Sequence, residues 1–561
     1  MSAIETVAPE DRTCAAFDRE RASAVPGTLR RFLVGKDDEL HKMDDEEIAR
    51  ELNDPFATLL LREGRFPANA EAVLAELDSA VGADQPLSRN TQLSFLVAEG
   101  SQVAKDPSNN FERRTRFLVT RGQGTEGPDL IMSVFEPTGR LVELMAWDST
   151  QGGFNYYRTM PDAEADRGAW VWAGNSRHAF DPQMRGRGPF ESHPTGNLLM
   201  KELKVPWVNW LSPKAPMDER DFAAGDPRVT HEWFTRSDGA YVLEDSVARP
   251  AIERWNRRRL EQVLAAGSLS DPLPLMEQLL GSPEKTHRTV NLVSSPDSSQ
   301  SAVTADRVRL PPTFFVDVDG LSDVLGLTRP KVAFSTSGAF YKQALDKFEV
   351  VVRNEDPSRP RRDGEDLFER VGDTHFAFVV PERAFEDVSF LRQLVVPEDG
   401  APQIRLITPR LAGCLLMVDF PNPVFSDARA SLLRHVPAGP IPSDRWGSFS
   451  ADLGEAIVAR EAADDGPERE FAALWEAGEG GWRDAANQLL SDYYEAVAEQ
   501  LKTAEGFDAY FRLAEDRRNR VREMPIDESA LLFAQTKLRP EALRGLAMSR
   551  DGTVSTRGPV A

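Results

Sequence analysis

Between residues 92 and 175 the chain alternates short apolar runs with turn-forming residues, and no other feature limits the possible folds as strongly. QLSFLVAEG, RTRFLVTRG, DLIMSVFEPTGRLVELMAWD, GGFNYYRTM and GAWVWAGNS are rich in β-branched and aromatic residues. Runs of this kind bury well on a pleated surface, and EPTG between two of them reads as a hairpin turn. The spacing predicts an antiparallel β-rich module. Helical patterns lie on either side of it. MDDEEIARELN opens with acidic residues that suit the positive end of a helix dipole, and AEAVLAELDSA follows. Later come SVARPAIERWNRRRLEQVLAAG, WRDAANQLLSDYYEAVAEQLK and FDAYFRLAEDRRNRVRE.

The expected class is α+β, with an antiparallel β-rich N-terminal half and a mainly helical C-terminal half. A length of 561 residues exceeds one compact core. The pattern divides it into a flexible N-terminus with helices (1–90), the β-rich module (91–290), a mixed α/β region (310–445), a helical region (446–540) and a disordered tail (541–561). TFFVDVDG, FEVVVRN and HFAFVVPE in the mixed region read as strands. SSPDSSQSAVTADRVRL and NEDPSRPRRDGED read as a linker and a surface loop.

A net charge of −23 disfavours nucleic acid and anionic lipid, both of which require a basic face. No apolar run is long enough to span a bilayer, and residues 1–30 contain no apolar core of signal-peptide length; a cytoplasmic location is expected. The two cysteines, Cys14 and Cys414, are too few for a disulfide framework or a cysteine-based metal site. Cys414, inside LAGCLLMVDF, reads as a small buried apolar residue.

Several motifs weaken when their context is considered. Gly122-Gln-Gly124-Thr-Glu-Gly127 matches a dinucleotide fingerprint, but Pro128 and a strand-like run follow it where a helix is needed, so a hairpin loop is expected. Asp317-Val-Asp319-Gly320 lacks the later ligands of a calcium loop and reads as a turn after a buried strand. His41, His178, His193, His231, His287, His375 and His435 include no pair with helical zinc spacing. No nucleophile elbow or phosphate-binding loop is present. Aromatic residues concentrate between 147 and 210, where Trp147, Trp170, Trp172, Trp207 and Trp210 lie. They fit either a β-module core or a ligand pocket.

GGFNYYR (152–158), WVWAGNSRHAF (170–180) and H-x-x-G-x-x-x-M-K-E-L-x-x-P-W-x-N-W (193–210) together resemble a group of poorly characterised bacterial cytochrome c-like proteins. THFAFVVPE (374–382), MVDFPNPVFSDARASLL (417–433) and YFRLAEDRR (510–518) extend the resemblance over most of the chain. In that group Cys-x-x-Cys-His precedes the Gly and the Met-Lys-Glu-Leu run. Here the same positions are Pro189, Phe190, Glu191, Ser192 and His193. Proline and serine do not form the thioether bonds that hold a c-type haem. Leu211 and Ser212 follow Trp210, where the resemblance implies a histidine. What the resemblance implies is therefore a haem-free relative that takes no cofactor and binds a small-molecule ligand or a protein partner. The alternatives are an oxidoreductase or electron-transfer protein holding haem or another redox cofactor non-covalently, and a scaffold. In the haem alternative His193 is an axial ligand to iron, Met200 or Met217 is the second ligand, and Trp207 and Trp210 shape the pocket. Met200 lies seven residues beyond His193 and would fall on the same side of a helix.

Overall fold

The computed structural model describes residues 25–98, 115–122, 126–160, 166–198, 202–205, 222, 224–281, 283, 290–293, 306–350, 380–395, 406–460, 466–523 and 536–556. The chain forms two compact units. One comprises Met1–Ala98, Arg114–Leu198 and Asp218–Ala251, the other Glu99–Arg113, Leu199–Met217 and Ile252–Ala561. The α+β class is as expected, with the large sheet in the N-terminal half and mostly helices in the C-terminal half.

The first unit is built on an eight-stranded sheet. Strands β1 (Thr28–Arg31), β2 (His41–Lys42), β3 (Leu93–Ala98), β4 (Thr115–Arg121), β5 (Leu130–Val134), β6 (Val142–Asp148), β7 (Gly153–Met160) and β8 (Ala169–Asn175) lie in the order β2-β1-β8-β7-β6-β5-β4-β3. From β3 to β8 it is an antiparallel meander whose strands coincide with the alternating runs. The EPTG turn closes with the Gly139 amide donating to the Glu136 carbonyl at 2.9 Å. The glycine-rich motif lies between β4 and β5, and among its described residues no helix N-terminus is offered to a pyrophosphate. Gly127 has φ +84°, and a Cβ there would lie 2.8 Å from the Ala251 nitrogen.

One expectation needs correction in this unit. The expected module is antiparallel throughout, and β1, which precedes it in the chain, adds to the sheet in parallel with β8. The N-terminal region is not simply flexible chain with helices, since residues 28–31 and 41–42 complete the sheet edge. The backbone of β8 offers its second side to any extended segment, and a four-residue strand between charged stretches is too short to show a period.

Strands β7 and β8 are buried on both faces, which explains why their sequences are nearly continuous runs of large side chains. Phe56, from the short helix Pro55–Leu59, packs on Tyr157 and Trp170 at centroid distances of 5.2 and 4.6 Å. On the other face of β7, Tyr156 meets Phe190 edge-on at 5.4 Å.

In the second unit the helices Trp446–Val458, Pro467–Trp475, Gly478–Gln500 and Ala504–Glu523 pack around a large apolar core. Cys414 is buried in the helix Pro409–Leu416, as its apolar surroundings predict. A small sheet pairs Val290–Val293 with Val380–Arg383 on one side and with Glu202–Val205 on the other. TFFVDVDG is not a strand. It is a 3-10 turn, Pro312–Phe314, followed by a π-helical turn, Val318–Val324, whose start is capped by Asp317 accepting from the Gly320 amide at 2.9 Å. Local Asp and Gly chemistry overrides the β-propensity of the preceding residues. In FEVVVRN, residues 348–350 follow the helix Gly338–Lys347 and the remainder lies outside the described residues. Val380–Arg383 keeps the end of HFAFVVPE as a strand. Among the described residues no helix is long and apolar enough to cross a membrane.

The tail expected to be disordered from 541 carries a hairpin, Leu546–Met548 with Val554–Thr556. A distant side chain holds it. The Asn422 Nδ2 donates to the Met548 carbonyl at 2.9 Å, and the Met548 amide donates to the Asn422 Oδ1 at 3.0 Å. The side-chain amide thus pairs with the backbone as another peptide group would. Arg429 is buried beside it and donates to the carbonyls of Val418, Asp419, Asn422 and Pro423. Asn422→Ala removes both of these bonds to the buried Met548 backbone, at a cost of about 2 to 3 kcal/mol. The expected outcome is faster hydrogen exchange and proteolysis across residues 546–556. Unchanged protection there would show that the amide does not anchor the hairpin.

Candidate functional site

Residues 188–193 form a compact turn against β7. Gly188–Glu191 is a 3-10 turn with Pro189 near its start, where a fixed φ and a missing N–H cost nothing. Phe190 is fully buried against Tyr156. The Ser192 hydroxyl donates back to the Pro189 carbonyl at 3.4 Å, and the His193 amide donates to the same oxygen at 3.0 Å. Pro189 and Ser192 therefore serve the turn itself.

The chain turns again from His193 to Asn197. Gly196 has φ +69°, and a Cβ there would lie 2.0 Å from the Ser176 carbonyl oxygen, so only glycine allows this close approach. Asn197 is 1% exposed. Its carbonyl accepts from the Tyr156 hydroxyl at 3.2 Å, and its Oδ1 accepts from the Leu198 amide at 2.8 Å. Its Nδ2 is buried and has no partner among the described residues.

His193 lies beside these groups, with its ring centroid 5.4 Å from that of Tyr156. The residue as a whole is half-buried, but its Nδ1 is shut off from solvent and has no partner among the described residues. Burial pushes the imidazole pKa down to about 4, against the opposing effect of a hydrogen bond to the Asn197 backbone. The ring is neutral at pH 7. The other described histidines have partners. His41 meets Glu47, His231 meets Glu71 and His435 meets Glu468, while His178 Nδ1 accepts from the Asn175 amide.

Met200, Trp207, Trp210 and Met217 lie outside the described residues, as do His287 and His375. Residues 202–205 form a strand, so a helical relation between His193 and this run does not extend through Glu202–Val205. The motif is also divided between the two units, since His193 belongs to the first and Leu199–Met217 to the second. Covalent haem attachment does not fit these residues. Cys414 is buried in the second unit, with its thiol pushed up to about 12 by burial, and Pro189 and Ser192 carry no thiol. Among the described residues no group of three metal-ligating side chains converges.

Sequence reasoning missed a buried acid on the other face of β7. Asp54 is fully buried and caps the helix Pro55–Leu59 by accepting from the Ala57 amide at 3.0 Å. Its second oxygen accepts from the Tyr157 hydroxyl at 2.5 Å and the Asn155 Nδ2 at 2.8 Å. The Trp172 indole donates to Asn155 Oδ1 at 3.0 Å. Burial pushes the Asp54 carboxyl up to about 6, against the pull of its three donors, and nearby Asp148 adds to the rise. The Asp-Pro pair signals a helix start. Nothing local signals that it lies beneath a sheet. The Asp317-Val-Asp319-Gly320 motif also finds its cation within the protein. Buried Arg383 donates to Asp317 at 2.7 Å and to the Leu279 carbonyl at 3.2 Å.

Comparison of the chain with protein-family models, with curated proteins and with solved structures finds no match.

The two buried groups on β7 titrate in opposite senses. Asp54 has a raised folded pKa, so its contribution to stability is full below its unfolded value of 3.8 and is lost as pH rises through about 6. His193 has a depressed folded pKa, so its contribution is present above 6.5 and is lost as pH falls through about 4. For Asp54 the change amounts to about 3 kcal/mol. Denaturant titrations between pH 4 and 7 are expected to show His193→Gln losing stability only as pH rises and Asp54→Asn losing it only as pH falls. Parallel profiles for the two variants would contradict both environments.

Proposed function

We propose that this protein is a haem-free relative of the bacterial cytochrome c-like group and binds a ligand or partner through the His193 turn of its first unit. The observation that carries this reading is the use of Pro189 and Ser192 as structural parts of the turn, which leaves His193 without the thiols that would tether a porphyrin. The buried Nδ1 of the neutral His193 imidazole has no partner among the described residues, which supports a role for this side chain in recognition. The acidic balance of the chain argues for a ligand or partner other than nucleic acid. A cytoplasmic setting is part of the proposal and agrees with a cysteine content that provides no disulfide framework.

One observation favours a second reading. A neutral imidazole with a buried, unpartnered ring nitrogen also suits an axial ligand to iron, which is what non-covalent haem in an oxidoreductase or electron-transfer protein requires. A visible spectrum separates the two. After expression with a haem-maturation system, the full chain is expected to show no Soret band, no haem on a denaturing gel and no stoichiometric uptake of haemin. A one-to-one Soret band that disappears in His193→Ala would overturn the haem-free reading.

A further inference from the structure

Residues 45–63 are fastened to the sheet of the first unit through two buried carboxyls. This segment contains the helices Asp45–Glu51 and Pro55–Leu59 and the 3-10 turn Leu61–Glu63. Asp54 lies between the two helices and Asp148 at the end of β6, and both are buried. Asp54 Oδ2 accepts from the Tyr157 hydroxyl at 2.5 Å and from Asn155 Nδ2 at 2.8 Å, while its Oδ1 accepts from the Ala57 amide of the helix that it caps. Asp148 Oδ2 accepts from the Asn53 amide at 2.9 Å, and its Oδ1 accepts from the amides of Thr150 and Gln151. The Gln151 side chain donates back to the Glu51 carbonyl. Apolar contact comes from Phe56, which packs on Tyr157 and Trp170.

Among the described residues neither carboxyl is in an ion pair. The titratable groups that face Asp54 are Tyr157 and Asp148, both from the sheet. Arg62, from the 3-10 turn, acts on Tyr157 from a distance and is itself engaged with the carbonyls of Ala49 and Leu52 and with Asn53 Oδ1. An ionised Asp54 is therefore a charge withdrawn from water, near a second carboxyl and with no cation beside it. Protonation removes that charge and keeps the contact, because a carboxylic O–H can donate across the same gap to the Tyr157 oxygen. Ionisation favours opening of the layer to water. We propose that Asp54 is a proton-operated clasp, which holds residues 45–63 on β6 and β7 when protonated and loosens them when it ionises. The clasp lies on the face of β7 opposite Tyr156 and is independent of the role proposed for His193. The carboxyl is raised to about 6 in the closed state against 3.8 in the open one, so closure is strongest below 3.8, weakens as pH rises, and reaches a constant floor above about 6.

Hydrogen exchange of the full-length protein reads the clasp when it is followed from pH 4.5 to 7.5 and corrected for the intrinsic pH dependence of amide exchange. The informative amides include those of Leu52 and Leu60, which donate to the Ile48 and Phe56 carbonyls. Their protection is expected to fall about twentyfold over this range and to level off above about pH 6.5. The helix Gly478–Gln500 of the second unit serves as the internal control and is expected to keep its protection. Asp54→Asn keeps an oxygen for the Ala57 amide and is expected to abolish the pH dependence. Tyr157→Phe removes a donor that holds the Asp54 carboxyl down, so the midpoint is expected to move to higher pH. The Tyr157→Phe profile decides the matter should Asp54→Asn not fold. Flat protection in the wild type, an equal fall in Gly478–Gln500, a pH dependence that persists in a folded Asp54→Asn, or an unmoved midpoint in Tyr157→Phe overturns the proposal.

Discussion

Strand β7 carries hydrogen bonds on both of its faces, and the organisation of the first unit follows from them. Asn155 and Tyr157 point to one face and share Asp54 Oδ2, which ties the sheet to the helix Pro55–Leu59. Tyr156 points to the other face and holds the carbonyl of Asn197, which ties the sheet to the His193 turn. A strand buried on both sides has no water to satisfy polar groups, so each one must find a protein partner or pay the desolvation cost. Asp54 meets that requirement with three donors. His193 and Asn197 meet it only in part, and this contrast separates a structural network from a candidate binding site.

Buried polar chemistry organises the second unit as well, with a different outcome. Asn422 holds the C-terminal hairpin, Arg429 gathers the carbonyls of the preceding loop, and Arg383 neutralises Asp317. Asp419, in the same loop as Asn422, sits at φ +50° and accepts from both Asn422 Nδ2 and the Ser426 hydroxyl at 2.8 Å. Those side-chain bonds help hold a backbone conformation that L-residues adopt at a cost. These groups are engaged with one another, so they account for packing rather than for recognition of a ligand.

Much of the fold was legible because β-period alternation is a local signal. The meander from β3 to β8 follows directly from the runs between 92 and 175, and the long C-terminal helices follow from their own periodicity. The parallel addition of β1 and the anchored tail were not legible, because each depends on a partner far away in sequence, whereas at Asp317 a local cap outweighed the β-propensity of the residues before it. Thr28–Arg31 needs β8, and Met548 needs Asn422. At the candidate site the sequence singled out His193 by analogy with a haem motif. It offered no sign of Asn197, whose role depends on the positive φ of Gly196 and on the Tyr156 hydroxyl.

The proposed role of His193 depends on an imidazole that burial keeps neutral. The most direct measurement is the 15N spectrum of histidine-labelled protein as a function of pH. The predicted result is a His193 ring that stays neutral from pH 7 to below pH 5, consistent with a pKa of about 4. A His193 signal that titrates near 6.5 would contradict this role.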